Sequence, residues 1–449
     1  MRDAPIVEKS TWHPGLIAVF SLTGLAILSF HTETAAQEGD QSHQVTFTED
    51  VAPLLQENCQ ICHREGGIGP MALLNYQQAR RYAARIRTQV ASREMPPYQY
   101  DQEVGIQALE YDMRLNDDQI ATILAWVDAG SPEGDPAKMP PAKSFPDPAQ
   151  WRMAEHFGQP DIVVETTPYD VPAEGNDKWW EPTVKIPGLE GDRYIRAIEV
   201  KPSVAGRELV HHANTNLMRP DPTGELNNAL GGRFTEYAGN KLGEIVPEGA
   251  GRLIPADGWV AWSVHYHLNG TAIEDDVTEL GFWLYPEGYV PEYEQRLHRW
   301  NLEGDLLIPP HETVMTQGFH TFDHPIRIDS YQPHGHLRLV SASLEIFYPK
   351  TGRTEVISMI SNWSATWHQS HLYEDDVAPL VPAGAVLVMK QWYDNTAGNP
   401  NNPDSDQWVD GGSRTADEMS HAWIAVTHLD EEGYDRLVED RKEKAKIIS

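Results

Sequence analysis

A chain of 449 residues with 40% hydrophobic residues and 14 tryptophans is a folded protein, with room for roughly three domains of ~150 residues. Its formal net charge of -32 argues against nucleic acid as a partner and against binding to anionic membrane surfaces. The charge fits a solvated acidic surface in an extracellular or salty setting, and it also suits docking to a basic partner.

The first predicted element is an apolar run at residues 15–30, which is followed by small residues at 34–36. A membrane-spanning helix needs ~20 apolar residues, so this shorter run is typical of a signal peptide, which we assign to residues 1–36. The weak positive charge ahead of the run leaves an uncleaved N-terminal membrane anchor as an alternative. No later run is apolar enough to span a bilayer. We therefore expect a periplasmic or secreted protein with no transmembrane domain after signal cleavage.

The segment Cys59-Gln60-Ile61-Cys62-His63 has the C-x-x-C-H spacing of c-type haem attachment. Two thiols one helical turn apart can add across the vinyl groups of haem, and the adjacent histidine becomes an axial ligand of the iron. A redox dithiol does not need this histidine, and a zinc site would need more Cys or His nearby. Both cysteines of the chain lie in the motif, so none is left for a disulfide framework. We predict one covalent haem c on Cys59, Cys62 and His63.

The second axial ligand of haem c is usually Met or His. Met71 follows His63 closely in the sequence, which makes the opposite face of the haem hard to reach. Met95 precedes Pro96 and Pro97, which stiffen the loop and fix how the thioether is presented. We predict Met95 as the distal ligand, with Met71 as the alternative.

Helical patterns surround this motif. Asn116 is placed to cap a last helix that carries Ile123 and Trp126 on one face. We predict a small all-α cytochrome c domain at residues 43–140, followed by a linker at residues 141–158.

From residue 159 onward, short β-type runs alternate with turns rich in Gly, Pro, Asn and Asp. Strands at this spacing are typical of antiparallel sandwiches. The stretch is long for one sandwich and becomes polar near residue 300. We therefore predict two all-β sandwiches, at residues 159–300 and 301–430, and a charged tail at residues 431–449.

The β region contains three histidine pairs: His211-His212, His265 with His267, and His334 with His336. Residues i and i+2 of a strand point to the same face, so an H-x-H pair offers two imidazoles to one ion, and adjacent histidines can share an ion at a bulge. Each pair alone is weak, but three in one exported β region predict a metal. A thioether close to such imidazoles favours copper, and Met419 is the candidate.

The order of these motifs resembles the copper type II, ascorbate-dependent monooxygenases, the family of peptidylglycine α-hydroxylating and dopamine β-monooxygenases. The resemblance covers roughly residues 160–428 and is carried by His211-His212, His265-Tyr266, His334-Gly335-His336 and the Gly411 to Met419 segment that ends in Asp-Glu-Met. The region before residue 140 resembles cytochrome c domains fused to bacterial members, with CQICHREGGIGPM and Arg93-Glu94-Met95-Pro96-Pro97 in the same relative places.

The resemblance implies two jelly-roll-like sandwiches, each with one copper, on either side of a solvent-filled cleft. One copper transfers electrons, and its ligands would be His211, His212 and His265. The other binds O2 and hydroxylates an organic substrate, and its ligands would be His334, His336 and Met419. A periplasmic donor would supply the electrons, relayed by haem c to the first copper.

The chain departs from the family at two substrate positions. Gln332 stands where the peptide-hydroxylating members have an arginine, and Trp423 stands where they have a tyrosine. A neutral or apolar organic substrate is therefore favoured over a peptide carboxylate. Four further tryptophans are candidates for the wall of such a pocket, with core packing as the default: Trp262, Trp363, Trp367 and Trp392.

Other classes of function stay open. The chain would also suit a periplasmic electron-transfer or copper-binding protein without hydroxylase activity, an oxidase that passes electrons out through the haem, or a β-sandwich binding module without stoichiometric copper. The remaining histidines have no assigned role: His267 beside His265, His368 and His371 in a segment expected to be a surface loop, and the lone His320, His324 and His421.

Overall fold

The computed structural model describes residues 43–237, 241, 243–301 and 306–448. The predicted signal peptide at residues 1–36 lies outside this range. Within the range, none of the helices combines the length and the apolar character needed to cross a membrane. Strands predominate after residue 159, so the prediction of a protein rich in β-sandwich structure is confirmed.

The first helices pack around one apolar cluster whose members include Phe47, Leu55, Ile123 and Trp126, each at most 1% exposed. Asn116 caps the last of them, and Gln119 returns a hydrogen bond to the Asn116 backbone, which satisfies two free N–H groups. The helices of the chain are α1 (Ala52–Asn58), α2 (Tyr76–Arg81), α3 (Ala83–Ala91), α4 (Asp117–Asp128), α5 (Ala154–Phe157) and α6 (Glu431–Ile448).

The first β stretch forms two facing sheets with an apolar cluster between them. Its strands are β1 (Ile162–Glu165), β2 (Tyr169–Val171), β3 (Lys178–Trp180), β4 (Thr183–Lys185), β5 (Arg193–Pro202), β6 (Val210–Pro220), β7 (Leu226–Tyr237), β8 (Glu244–Ile245), β9 (Ala250–Ile254), β10 (Trp259–Tyr266), β11 (Ile273–Asp276) and β12 (Thr278–Leu284). One of them runs β1-β12-β5-β9, and the other contains β3, β10, β6 and β7. The next strand along the chain, Tyr293–Asn301, pairs with both β9 and β7, so the two are continuous at that edge. Val260, Trp262 and Val264 alternate along β10 into the cluster.

The second β stretch repeats this arrangement. Its strands are β13 (Tyr293–Asn301), β14 (Leu307–Ile308), β15 (Thr313–Thr321), β16 (Ile326–His334), β17 (Leu339–Tyr348), β18 (Arg353–Ile360), β19 (His371–Leu372), β20 (Leu380–Val381), β21 (Val386–Asp394), β22 (Val409–Asp410) and β23 (His421–His428). One sheet runs β15-β21-β17-β18, and the other contains β13, β23 and β16. Ile328, Leu344, Leu387 and Ile424 fill the space between them.

Strand β13 joins the two stretches at the predicted division near residue 300. It pairs with β23 from Glu294↔His428 to Asn301↔His421, and it contacts β7 through Leu297↔Arg233. One sheet therefore continues from β10 through β6, β7, β13 and β23 to β16. Each apolar cluster covers one face of part of this sheet, which leaves the other face free to form a site.

Part of the predicted cytochrome c domain belongs to the second β stretch. Tyr98, Tyr100 and Leu109 are buried in the second apolar cluster. The N–H groups of Asp101 and Ile106 donate to the carbonyl oxygens of Met359 and Ile357, each at 2.9 Å. Residues 98–106 thus lie beside β18, and Leu109 and Glu110 lie beside β19, where the Glu110 N–H donates to the Leu372 carbonyl at 2.9 Å. The helices on either side of this stretch are therefore fastened to the sandwich.

The predicted linker and tail are also ordered against the sandwiches. Trp151 and Met153 in the linker stretch are 6% and 2% exposed and pack against Trp283 of β12. In the charged tail, Tyr434 and Leu437 of α6 pack against Tyr293.

Candidate metal centre

The three predicted histidine pairs line one cavity of about 650 Å³, on the face of the continuous sheet that points away from both apolar clusters. Strand alternation explains this placement, because successive side chains of a strand point to opposite faces of the sheet. The residues next to the histidines in the sequence belong to the apolar clusters: Ala213 after His212, Val264 before His265, and Ala422 after His421. The lining side chains include His211, His212, His265, His267, His334, His336, His368, Met419 and His421.

A β-bulge brings the side chains of His211 and His212 to the same cavity. In the β6–β10 ladder His212 pairs with His265, whereas the next pair is Val210 with Tyr266, so His211 is an extra residue in β6. A bulge of this kind turns an extra side chain toward the face of its neighbour. The ring centroids of His211 and His212 consequently lie 5.2 Å and 4.9 Å from that of His265.

The Nε2 atoms of His211 and His265 are hydrogen-bonded, and the Nδ1 atoms of His211 and His212 lie close together. His211 Nε2 lies 3.1 Å from the carbonyl oxygen of Thr366, and His265 Nε2 lies 2.9 Å from Asp177 Oδ2. The Nδ1 atoms of His211 and His212 are 3.3 Å apart, and His265 Nδ1 is buried without a partner among the described residues. Metal-binding histidines commonly have one nitrogen fixed in this way. The three imidazoles whose ligand atoms all lie within 4.8 Å of one another are, however, those of His211, His212 and His368, so the structure does not place His265 in one ligand group with His211 and His212.

The second predicted ligand set lies at the other end of the cavity. His334 of β16 pairs directly with His421 of β23, and its ring centroid is 5.5 Å from that of His336. His336 Nδ1 lies 3.0 Å from the carbonyl oxygen of Asp417, which leaves Nε2 for an ion. Met419, two residues after Asp417 in the sequence, also lines the cavity. The donor types of this set, two imidazoles and a thioether, are those that suit copper.

Glu418 explains why the Asp-Glu-Met segment lies against the His-Gly-His segment. Its carboxylate accepts the N–H groups of His336 and Arg338 at 2.7 Å and 2.6 Å. Two glycines shape the segments themselves, because a Cβ at Gly335 would collide with Leu339 of its own segment and one at Gly412 would collide with the Asp417 carboxylate of its own.

Burial keeps the clustered imidazoles neutral, and neutral imidazole is the form that ligates metals. Burial lowers the pKa of His265 to about 4. Burial, reinforced by neighbouring imidazoles or arginines, holds the pKa values of His212, His334, His368 and His421 well below the usual range.

His368 enters the same cavity from a loop of the second stretch. Its ring centroid lies 4.5 Å from His212, 5.2 Å from His211 and 4.6 Å from His334. The two predicted ligand sets are therefore connected by an imidazole, whereas the family resemblance implied two coppers separated by a cleft. The sequence signal was the Trp-His-Gln-Ser-His segment, which was expected to form a surface loop.

The other histidines have different surroundings. His267 is exposed and pairs with Asp177 at 3.1 Å. His371 is buried 5.3 Å from Tyr98 and 5.1 Å from Tyr100 and lies outside the cavity lining. His320 stacks on Trp300, and His324 contacts His428 at 2.8 Å, both away from the cavity.

The aromatic walls of the cavity are Trp179 and Trp423. Trp179 is 43% exposed and stacks on the His265 ring, with 4.3 Å between centroids. The four tryptophans considered from the sequence do not belong to the described lining. Gln332 is also absent from that lining, since its side chain bonds to Ser370.

Two arginines in the lining were not expected from the sequence. The Arg233 guanidinium lies over the Trp423 ring, 3.0 Å from its centroid, and Arg299 contacts His421 Nδ1 at 3.5 Å. Burial lowers the pKa of Arg233 to about 9. Their positions follow from β13, whose pairing with both β7 and β23 places them side by side.

The C-x-x-C-H motif ends α1 and continues into a turn. His63 Nδ1 lies 3.0 Å from the carbonyl oxygen of Met71, which fixes the ring and leaves Nε2 free for an axial bond. Burial raises the pKa of Cys59 to about 12 and that of Cys62 to about 11. Redox dithiols have lowered thiol pKa values, so these environments count against a redox dithiol. The donor set therefore matches that of haem c, whereas the cavity lined by Cys62 measures only about 70 Å³, which is too small for a haem.

The structure does not bring Met95 into a cavity with the motif. Met95 lines a separate cavity of about 390 Å³ with Tyr98, Leu115 and Trp367, and the lining includes none of Cys59, Cys62 and His63. Met71 contacts the Nδ1 edge of His63, opposite to Nε2. The choice of Met95 as distal ligand stays a prediction.

The chain matches no protein-family model and no curated protein. Among solved structures, it is similar to the major capsid protein P2 of bacteriophage PM2, at 8% identity and a TM-score of 0.25, over 61% of this chain and 100% of that one. It is also similar to the VP2 subviral particle protein of infectious bursal disease virus, at 8% identity and a TM-score of 0.17, over 63% and 74% of the two chains. Similarity this low supports no conclusion about fold or function.

Proposed function

We propose that this chain is an exported haem- and copper-dependent monooxygenase that hydroxylates a small organic substrate with O2. In this proposal a cytochrome c domain precedes two jelly-roll-like copper sandwiches, as in the copper type II, ascorbate-dependent family. The observation that carries the proposal is the convergence of His211, His212, His265 and His334 with Met419 on one cavity.

The chemistry of the donors favours copper over other metals. Imidazoles suit several transition metals, but a thioether beside them selects for Cu(I). His211, His212 and His265 would hold one ion, and His334, His336 and Met419 would hold the other. Copper at these positions would supply O2 activation and one-electron storage.

The chain's own residues hold and orient the ligands. Asp177, the Thr366 carbonyl and the Asp417 carbonyl fix His265, His211 and His336. Trp179, which is 43% exposed, provides an apolar wall against which an organic substrate can lie, whereas the Trp423 ring is covered by Arg233. Gln332 stands where the peptide-hydroxylating members of the family have a carboxylate-binding arginine. Its side chain bonds to Ser370 and does not line the cavity.

Hydroxylation of a C–H bond by O2 also consumes two electrons and two protons and releases water. We propose that a periplasmic electron donor supplies these electrons. Cys59, Cys62 and His63 would hold the haem, whose chemistry is one-electron transfer at a potential set by its axial ligands.

Metal analysis of the purified full-length protein tests the proposal. We expect about one iron and about two coppers per chain, with His334→Ala reducing copper to about one. His311→Ala is the matched control, because the His311 side chain is exposed and pairs with Asp406 at the surface, outside the cavity lining. Substrate-dependent O2 uptake would then distinguish an enzyme from an electron-transfer or copper-storage protein. Iron without copper, even after copper loading, would refute the proposal.

A further inference from the structure

The loop at residues 361–370 connects β18 to β19 and carries His368 into the metal cavity. One potential ligand atom from each of His211, His212 and His368 lies within 4.8 Å of the others. A single ion placed among three such atoms can reach all of them. His368 therefore has the position of a ligand, although it lies far along the chain from the other two histidines.

Hydrogen bonds hold the loop on both sides of His368. Before it, the Thr366 carbonyl contacts His211 Nε2 at 3.1 Å. After it, Gln369 Oε1 accepts the N–H of Gln99 at 2.9 Å, and Ser370 Oγ donates to Glu236 at 3.2 Å. The imidazole is thus held in place before any ion binds, which lowers the entropy cost of ligation.

We propose that His368 is a ligand of the ion that His211 and His212 hold, an inference that rests on the copper site proposed above. The ring adds an imidazole from the second sandwich to those of His211 and His212 from the first. Because His368 also lies 4.6 Å from His334, between ring centroids, it is the residue through which the two ligand sets meet.

A simpler role for His368 is aromatic packing. Its ring stacks on His212, with 4.5 Å between centroids and 28° between planes. A phenyl ring would preserve this stacking but has no nitrogen to donate. His368→Phe therefore separates ligation from packing, and His368→Ala leaves space for added imidazole to replace the lost ring.

The test measures copper binding, independently of any enzyme activity. We would make both substitutions in the full-length His334→Ala protein, in which the His211 and His212 site is expected to retain copper. Cu(I) affinity would be measured by competition with a chromophoric chelator, and the Cu(II) electron paramagnetic resonance spectrum would report nitrogen ligands. Thr366→Ala is the loop control, because the contact of Thr366 with His211 is made by its backbone carbonyl.

We expect His368→Phe and His368→Ala to weaken copper binding by about tenfold or more, as loss of a metal ligand or its support does. The Cu(II) electron paramagnetic resonance spectra of both variants should differ from that of the parent. Added imidazole should restore copper binding to His368→Ala. Thr366→Ala should have the copper affinity and spectrum of the parent. Copper affinity and spectra equal to those of the parent in both His368 variants would overturn this inference alone. A parent that binds no copper would overturn it together with the proposed function.

Discussion

The backbone N–H of Gln99 donates a hydrogen bond at 2.9 Å to Oε1 of Gln369, the residue that follows His368 in the sequence. The Gln99 side chain also donates to the Ser364 carbonyl at 2.9 Å and accepts the Ser364 N–H at 3.1 Å. The segment that follows Met95 is therefore fastened directly to the loop that lines the metal cavity. In the proposed enzyme this contact fixes the spacing between the haem-bearing region and the copper ligands.

Gln99→Ala should loosen this spacing. Two hydrogen bonds of about 1 kcal/mol each are lost, so we expect urea unfolding to show a loss of stability of about 1–2 kcal/mol. Haem and copper contents should be unchanged, whereas stopped-flow absorbance should show slower oxidation of the reduced haem by the copper-loaded protein.

Gln102→Ala is the matched control for Gln99→Ala. The Gln102 side chain donates to the Leu115 carbonyl at 2.8 Å and makes its contact within the region before the sandwiches. Equal haem oxidation rates in Gln99→Ala and the wild type would show that this contact does not set the spacing.

Much of the histidine cluster follows from the sequence because strand periodicity is local. His211, His212 and His265 were expected to face one ion, and the bulge at His211 places all three on one cavity, which leaves their role as ligands a prediction. His368 was not assigned to the site because its position depends on contacts with Gln99 and Glu236, which are far away in the sequence.

The fold was harder to predict where one segment contacts two parts of the chain, as residues 98–100 and strand β13 do. Tyr98 and Tyr100 alternate with polar residues inside a stretch expected to be helical, and this period of two was an available signal that they lie along a strand. The polar residues near 300 suggested a break between domains. In β13 they occupy positions that alternate with buried Leu297, so the strand continues the sheet.

Glu418→Ala should disrupt the Met419 ligand set. The substitution leaves the buried N–H groups of His336 and Arg338 without their acceptor, and each such group costs about 1–3 kcal/mol. We expect a copper content close to that of His334→Ala, together with a lower midpoint of thermal unfolding. Glu418→Gln keeps one carbonyl acceptor and should give an intermediate effect. Full copper content in Glu418→Ala would show that the hydrogen bonds from His336 and Arg338 to Glu418 are not needed for copper binding.

Met95→Ala should leave the haem attached but change its axial ligation. The covalent bonds would come from Cys59 and Cys62, so denaturing gels should retain haem stain in Met95→Ala and lose it in Cys62→Ala. A thioether ligand raises the reduction potential, and its loss should lower the potential and alter the absorption spectrum of the oxidised haem. Met71→Ala should have the wild-type spectrum. The reverse pattern would assign the distal position to Met71.

Glu199 should make stability depend on pH. Its side chain is 5% exposed and accepts the Met153 N–H at 3.0 Å, and burial raises its pKa from 4.5 to about 7, against the opposing effects of Arg152 and Lys201. The folded chain holds this proton more tightly than the unfolded chain. The protonated Glu199 carboxyl therefore contributes its full stabilisation below pH 4.5, the pKa of the group in the unfolded chain. This stabilisation is lost as the pH rises through about 7, the pKa in the folded chain.

Glu199→Gln, which cannot ionise, should remove this part of the pH dependence. A pKa increase of this size corresponds to ~3 kcal/mol, so urea unfolding at pH 8 should show the variant to be more stable than the wild type by up to that amount. At pH 4.5 the two proteins should be closer in stability. Glu287→Gln changes the same charge at an exposed position and controls for net charge. If Glu199→Gln and wild type lose stability in parallel between pH 4.5 and 8, Glu199 is ionised in the folded protein and its raised pKa is refuted.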